Sequence, residues 1–132
     1  MPREYRLDIA VRWGEMDAFG HVNNVAFFRY LEDARIRWLD ERLGALRDPG
    51  SGPMIVNVNC NFRRELRYPA TIQVRLEARA ASEKRLLLSH TIVDRDDPQT
   101  VYADAEATLV WVDFSTRRSI VLPRRVLELL EA

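Results

Sequence analysis

The side chains best suited to chemistry crowd into one short window. Asp17, His21, Asn23 and Asn24 follow one another closely, with Glu15 just before them and Gly20 between. A carboxylate such as Asp17 can attack a carbonyl directly or act as general base on a water. A histidine four residues away adds a group that titrates near neutrality. Asn23 or Asn24 suits a helix N-cap, because a short amide accepts from the free N–H groups of a first turn. That first turn also offers unpaired N–H donors and a partial positive charge. An acid or base beside such an anion site is what acyl transfer requires.

Each residue also has an ordinary reading. Asp17 can be a turn aspartate, Glu15 a solvated loop carboxylate, and His21 a hydrogen-bonding group that shapes the loop. Gly20 permits a backbone angle that a side chain would oppose. Capping by Asn23 or Asn24 is compatible with anion binding at the free N–H groups of the same turn.

These residues must be positioned by what flanks them. Tyr5 to Trp13 alternates, with Leu7, Ile9 and Val11 on one side, and reads as a first strand. After the loop, Phe27, Leu31, Ala34 and Trp38 recur at helical spacing, widened by Tyr30 and Leu39. The spacing predicts a helix to about Leu43, roughly 30 Å long, closed by Gly44. Leu46 to Pro53 is rich in Pro and Gly and reads as a turn or loop. From Met54 the period becomes two. Val56, Val58, Cys60 and Phe62 share a face, and the alternation resumes over Ile72–Ala78, Arg85–Val93 and Val101–Asp113. Pro123 suits a helix first turn, with Arg124 to Glu131 as a short last helix. The short links favour antiparallel neighbours. The long helix must bury its stripe on the only large partner, a sheet. The expected fold class is α+β: a curved antiparallel sheet of about five strands wrapped around one long central helix.

With 132 residues the chain is expected to form one domain, 1–132. Lys plus Arg equals Asp plus Glu, so no basic excess points to nucleic acid. The single cysteine, Cys60, excludes an intrachain disulfide and fits a reducing compartment. No signal-like or membrane-spanning run is present, and the expected location is cytoplasmic. Cys60 reads as a core residue rather than a nucleophile. His90 has no partner at metal-ligand spacing, so no metal site is expected.

The stretch Arg12-Trp13-x-x-x-Asp17-x-x-Gly20-His21-Val22-Asn23-Asn24-x-x-Phe27-x-x-Tyr30-x-Glu32-x-Ala34-Arg35 resembles the signature of the 4-hydroxybenzoyl-CoA thioesterase family of hotdog-fold proteins. The strand order and the Phe62 to Tyr68-Pro69 segment fit as well. The resemblance implies hydrolysis of an acyl-CoA thioester without metal or cofactor, by a homodimer or homotetramer. An acyl-carrier-protein ester is an alternative substrate. By this resemblance Asp17 is nucleophile or general base, and the Asn24 backbone N–H polarises the thioester oxygen. His21 positions the loop or moves a proton. Glu32, a helix carboxylate, assists from a second subunit, its plain alternative being a pair with Arg35. Gly20, Asn23 and Phe27 contact substrate. Arg63 and Arg64, with Arg67 nearby, meet the CoA phosphates, or simply solvate a strand edge. Two positions depart from the pattern: Glu15 where an Asp is frequent, and Phe27 where a Tyr is frequent. Two other activities share this fold. A hotdog enoyl-thioester hydratase resembles Asp-x-Asn-Pro-x-His, which Asp17 to His21 lacks. A non-catalytic acyl-thioester binding module is the third reading.

Overall fold

Helix α1 (Asn24–Leu43) lies against an antiparallel sheet in the computed structural model, which describes residues 4–44 and 48–131. Around it the chain forms β1 (Tyr5–Ala10), β2 (Ser51–Phe62), β3 (Thr71–Ala80), β4 (Arg85–Asp94), β5 (Val101–Asp113), the two-residue β6 (Ser119–Ile120) and α2 (Arg124–Glu131). This is the curved hotdog sheet of the α+β class, with its long helix.

The helix forms where its pattern and caps agree. Asn23 is extended, and its side chain accepts from the Val25 N–H. Gly44 closes the other end in the left-handed conformation. The predicted stripe is the buried one: Phe27, Tyr30, Leu31, Ala34, Trp38 and Leu39 all face inward. Fully enclosed Leu31 alone contributes about 2 kcal/mol by area. Opposite, β5 presents Ala103, Ala105 and Ala107, all buried. Leu76, Leu88 and Trp111 belong to the same buried core, and α1 lies closest to β3 and β1.

The strand order is β1-β3-β4-β5-β2, every pair antiparallel, with β6 on β5. The expectation that short links join neighbours holds for β3–β4–β5 and fails for β2 and β3. These two lie far apart in the sheet, and the 63–70 connection crosses between them. β1 pairs with β3 instead, Leu7 opposite Val74.

Three boundaries differ from the sequence reading. β1 ends at Ala10, not Trp13, because the Glu15 carboxylate accepts from the Arg12 N–H at 2.7 Å and coils Trp13–Glu15 into a 3-10 turn. Ser51–Pro53 is already strand, paired with Trp111–Asp113 of β5, where a loop was expected. The Phe114 ring packs over Gly52, where a Cβ would sit 2.7 Å from its Cζ. Pro53 is tolerated because β2 is an edge strand. Leu46 of the expected loop lies outside the described residues. Finally, the register shifts between Ile55 and Asn57, so Val56 is the bulge residue and does not share the face of Val58, Cys60 and Phe62.

Candidate active site

Asp17 opens a tight turn whose bonds are all local. Its carbonyl accepts from Gly20 N–H at 3.0 Å, and its N–H donates to the His21 carbonyl at 2.8 Å. Oδ1 accepts from Phe19 N–H at 2.9 Å, which leaves Oδ2 without a protein donor among the described residues. Gly20 has φ +80, a conformation that favours glycine and lets the turn reverse this tightly. Met16 and Val22 then form an isolated bridge that closes the loop's base.

The turn is held against α1 by Glu15. Its carbonyl accepts the Asn23 N–H at 2.9 Å, and its carboxylate accepts both Arg12 N–H and the Tyr30 hydroxyl, the latter at 3.0 Å. Burial first, then the hydrogen bond and charge of Glu15, push the Tyr30 phenol well above its usual range, so it stays a donor. Both bonds fall on Oε1, so Glu15 clasps the turn to α1 through one carboxylate oxygen and its carbonyl.

At the helix start the first-turn donors divide cleanly. Val25 N–H goes to the Asn23 side chain and Ala26 N–H to the Asn23 carbonyl. The Asn24 N–H finds no protein acceptor among the described residues. Asp17 and Asn24 both line one cavity of about 490 Å³, together with Phe19, His21, Phe27 and Arg64. Phe27 meets Phe62 edge-on, ring centroids 5.2 Å apart, and forms an apolar wall.

The His21 side chain forms no bond with the Asp17 carboxylate. Its Nε2 contacts the Glu65 carboxylate and lies 3.0 Å from Arg67 Nη2. With Val22 N–H donating to the Leu66 carbonyl at 2.8 Å, these contacts tie the turn to the 63–70 connection. Glu65 and Leu66 were not singled out from sequence. Their partners are over 40 positions away, so no local pattern could reveal them. Arg63 and Arg64 line the cavity, but Arg63 is gripped by Asp104, Nε to Oδ2 at 2.6 Å. That pair holds the Asp104 carboxyl below its usual range. Arg64 makes no such bond. Burial and the Asp104 charge raise the Cys60 thiol, which disfavours its reactive thiolate. Glu32 lines a separate cavity further along α1 and forms no ion pair with Arg35. Within one chain, then, Asp17, His21, Asn24, Phe27, Arg63 and Arg64 converge, Gly20 and Asn23 shape the backbone beside them, and Glu32 stands apart. Among the described residues, no group of three or more His, Cys, Asp or Glu side chains is placed to hold a metal. No described helix is long and apolar enough to cross a membrane.

Known proteins resemble this chain over nearly its whole length. Residues 11–130 match the family described as the Thioesterase-like superfamily. The long-chain acyl-CoA thioesterase FadM of Escherichia coli (strain K12) is 29% identical over 125 residues, spanning 93% of this chain and 94% of that protein. Among solved structures, the PA2801 protein of Pseudomonas aeruginosa superposes with a TM-score of 0.86 at 34% identity, over 93% of this chain and 95% of its own. Slr0204 of Synechocystis, a 1,4-dihydroxy-2-naphthoyl-CoA thioesterase, superposes with a TM-score of 0.85 at 17% identity over 97% and 96%, a likeness of fold alone.

Proposed function

The chain belongs to the thioesterase-like superfamily, and from that premise we propose that it hydrolyses an acyl-CoA thioester to free acid and CoA. The observation that carries this reading is the pairing, in one cavity, of the Asp17 carboxylate with the unengaged Asn24 N–H at the start of α1. The thioester carbonyl oxygen accepts from Asn24 N–H, helped by the helix dipole. Asp17 then attacks the carbonyl carbon, or removes a proton from a water that does so. The tetrahedral intermediate collapses, the C–S bond breaks, and the thiolate of CoA leaves and takes up a proton. On the nucleophile route one water then hydrolyses the acyl–Asp17 anhydride, releasing the free acid and regenerating the Asp17 carboxylate.

The remaining residues divide the work. His21, clamped by Glu65, holds the turn that carries Asp17. Gly20 and Asn23 keep that turn and the helix cap in shape. Phe27 packs against the acyl group near the reacting carbon. Arg64 meets CoA phosphate, with Arg63 as the weaker partner because Asp104 already engages it. The proposal treats residues 1–132 as one cytoplasmic domain that needs no metal or cofactor. It includes a homodimer or homotetramer. β2 is an edge strand carrying exposed Met54, Ile55 and Val56, a surface that soluble proteins cover. Glu32, outside the Asp17 cavity of its own chain, would reach an Asp17 carboxylate only from a second copy. The likeness of the motif to 4-hydroxybenzoyl-CoA thioesterases places aromatic esters beside fatty ones as candidates.

The test is thioester hydrolysis followed with a free-thiol reagent on short, long and aromatic acyl-CoAs. Asp17→Asn should lower kcat by about 10²- to 10⁴-fold with the circular dichroism spectrum unchanged. Full activity in Asp17→Asn would overturn the assignment. Saturable binding of the esters without turnover in the wild type would favour a binding module.

A further inference from the structure

The least expected group in the molecule is Arg35. It sits on the buried face of α1, only 8% exposed, yet its Nη1 has no hydrogen-bond partner and no described carboxylate forms an ion pair with it. A buried guanidinium nitrogen without an acceptor is costly, and natural proteins seldom leave one so. Burial accordingly lowers its pKa, with the charge of Glu32 pulling weakly the other way. Nothing on the core side compensates. His90 lies behind it, 2% exposed and held neutral, its pKa lowered to about 4 by burial and by the Arg35 charge.

Arg35 faces a cavity of about 310 Å³ between α1 and β2, walled by Ile36, Leu39, Pro53, Ile55 and Leu109. Such a volume and a mainly apolar lining, with a few polar groups, match a small-molecule site. Two carboxylates border it, and neither forms a hydrogen bond or ion pair with the guanidinium. Asp48 is taken by Arg125 at 3.0 Å and by local N–H groups. Glu32 is exposed at the rim.

The cavity is in line with the Asp17 site. Asn24, Phe28, Glu32 and Ile36 recur every fourth residue along one side of α1. Across from them runs β2, from Phe62 through Cys60 and Val58 to Ile55 and Pro53. The bulge at Val56 keeps these last two on the same face. From Asn24 to Arg35 is about 16 Å along the helix axis.

Resting on the thioesterase reading, we propose that the groove between α1 and β2 takes the acyl chain and that Arg35 grips an oxygen at its far end. The substrate class is therefore an extended acyl thioester with a hydroxyl, carbonyl or carboxylate distal to the thioester, rather than a plain hydrocarbon tail. Arg is suited to this, since it stays charged and presents several donors to one acceptor.

The test compares acyl-CoAs of equal chain length ending in methyl, hydroxyl or carboxylate, with wild type and Arg35→Met. The wild type should favour an oxygen-bearing end by about tenfold or more in kcat/KM, mainly through KM. In Arg35→Met that ratio should fall to about one. The hydroxyl and carboxylate arms tell a neutral acceptor from an anion. A wild type that prefers the methyl end, or a ratio untouched by Arg35→Met, would overturn the proposal. If Arg35→Met also turns a dimer into a monomer in sedimentation with the ratio unchanged, the guanidinium is completed by a second copy and the proposal fails. Should Arg35→Met misfold, Ile55→Trp fills the same cavity. It should suppress turnover of the extended oxygen-ended esters and spare acetyl-CoA, and equal effects on both would count against the groove. If no ester is hydrolysed by the wild type, the thioesterase reading falls. Melting of wild type with free ω-hydroxy and plain fatty acids then decides the Arg35 site. Stabilisation by the hydroxy acid alone upholds it, and equal or no stabilisation removes it.

Discussion

Tyr30→Phe should loosen the site without touching the substrate. Only the hydroxyl is removed, and that hydroxyl donates to the Glu15 carboxylate at 3.0 Å from a side chain just 3% exposed. Hydrogen bonds to charged groups contribute about 1.5–3 kcal/mol. The lower end applies here, because the Glu15 carboxylate is only partly buried and regains water. An unfolding entropy of about 2.1 cal/mol/K per residue over this chain converts 1.5 kcal/mol into a fall in Tm of about 5 °C. The functional effect should exceed the thermal one. Glu15 carries the Asn23 N–H on its carbonyl and lies two positions before Asp17, so it sets the spacing between carboxylate and helix start. Small errors in that spacing cost about tenfold or more in rate. The assay is steady-state hydrolysis of one good acyl-CoA, with kcat and KM separated, beside calorimetric melting. The expected result is a kcat loss with KM nearly constant and a pH profile unchanged in shape. A variant that melts and turns over like the wild type would refute the clasp. A rise in KM alone would mean that Tyr30 acts on substrate instead.

The other predictions concern the sheet and its core. Gly52→Ala places a Cβ 2.7 Å from Phe114 Cζ and displaces that half-exposed ring, which should destabilise by about 1 kcal/mol, read as a lower urea midpoint with the slope unchanged. His90 has a folded pKa of about 4 against an ordinary 6.5, so its contribution is full above pH 6.5 and declines as pH falls toward 4. The loss amounts to about 3 kcal/mol. His90→Leu should flatten stability over that window in denaturant midpoints taken at successive pH values, and an unchanged slope would assign the loss to other groups.

Much of this protein was written in local pattern. The spacing of Phe27, Leu31, Ala34 and Trp38 predicts α1, because a helical face repeats every three or four residues and needs no distant partner to be seen. The Asn23 cap and the Gly44 stop are likewise decided by residues next to them. The turn from Asp17 to Asn24, the candidate seat of chemistry, was legible as a loop before the helix for the same reason, since it closes through its own backbone.

What stayed hidden depends on contacts between segments far apart in the chain. No local feature puts β2 at the sheet edge and β3 beside β1, or shows that Gly52 lies under Phe114 inside a strand. The His21–Glu65 contact and the Arg63–Asp104 pair likewise arise only when the 63–70 connection folds across the helix start. Arg35 is the sharpest case. By sequence it is a helix cation within reach of Glu32, while the packing of α1 on the sheet buries it facing an apolar cavity with no anion in bonding distance. Periodicity says which face of a helix turns inward. Which segment then meets that face is set by close packing of the whole chain, and that was settled only in the tertiary structure.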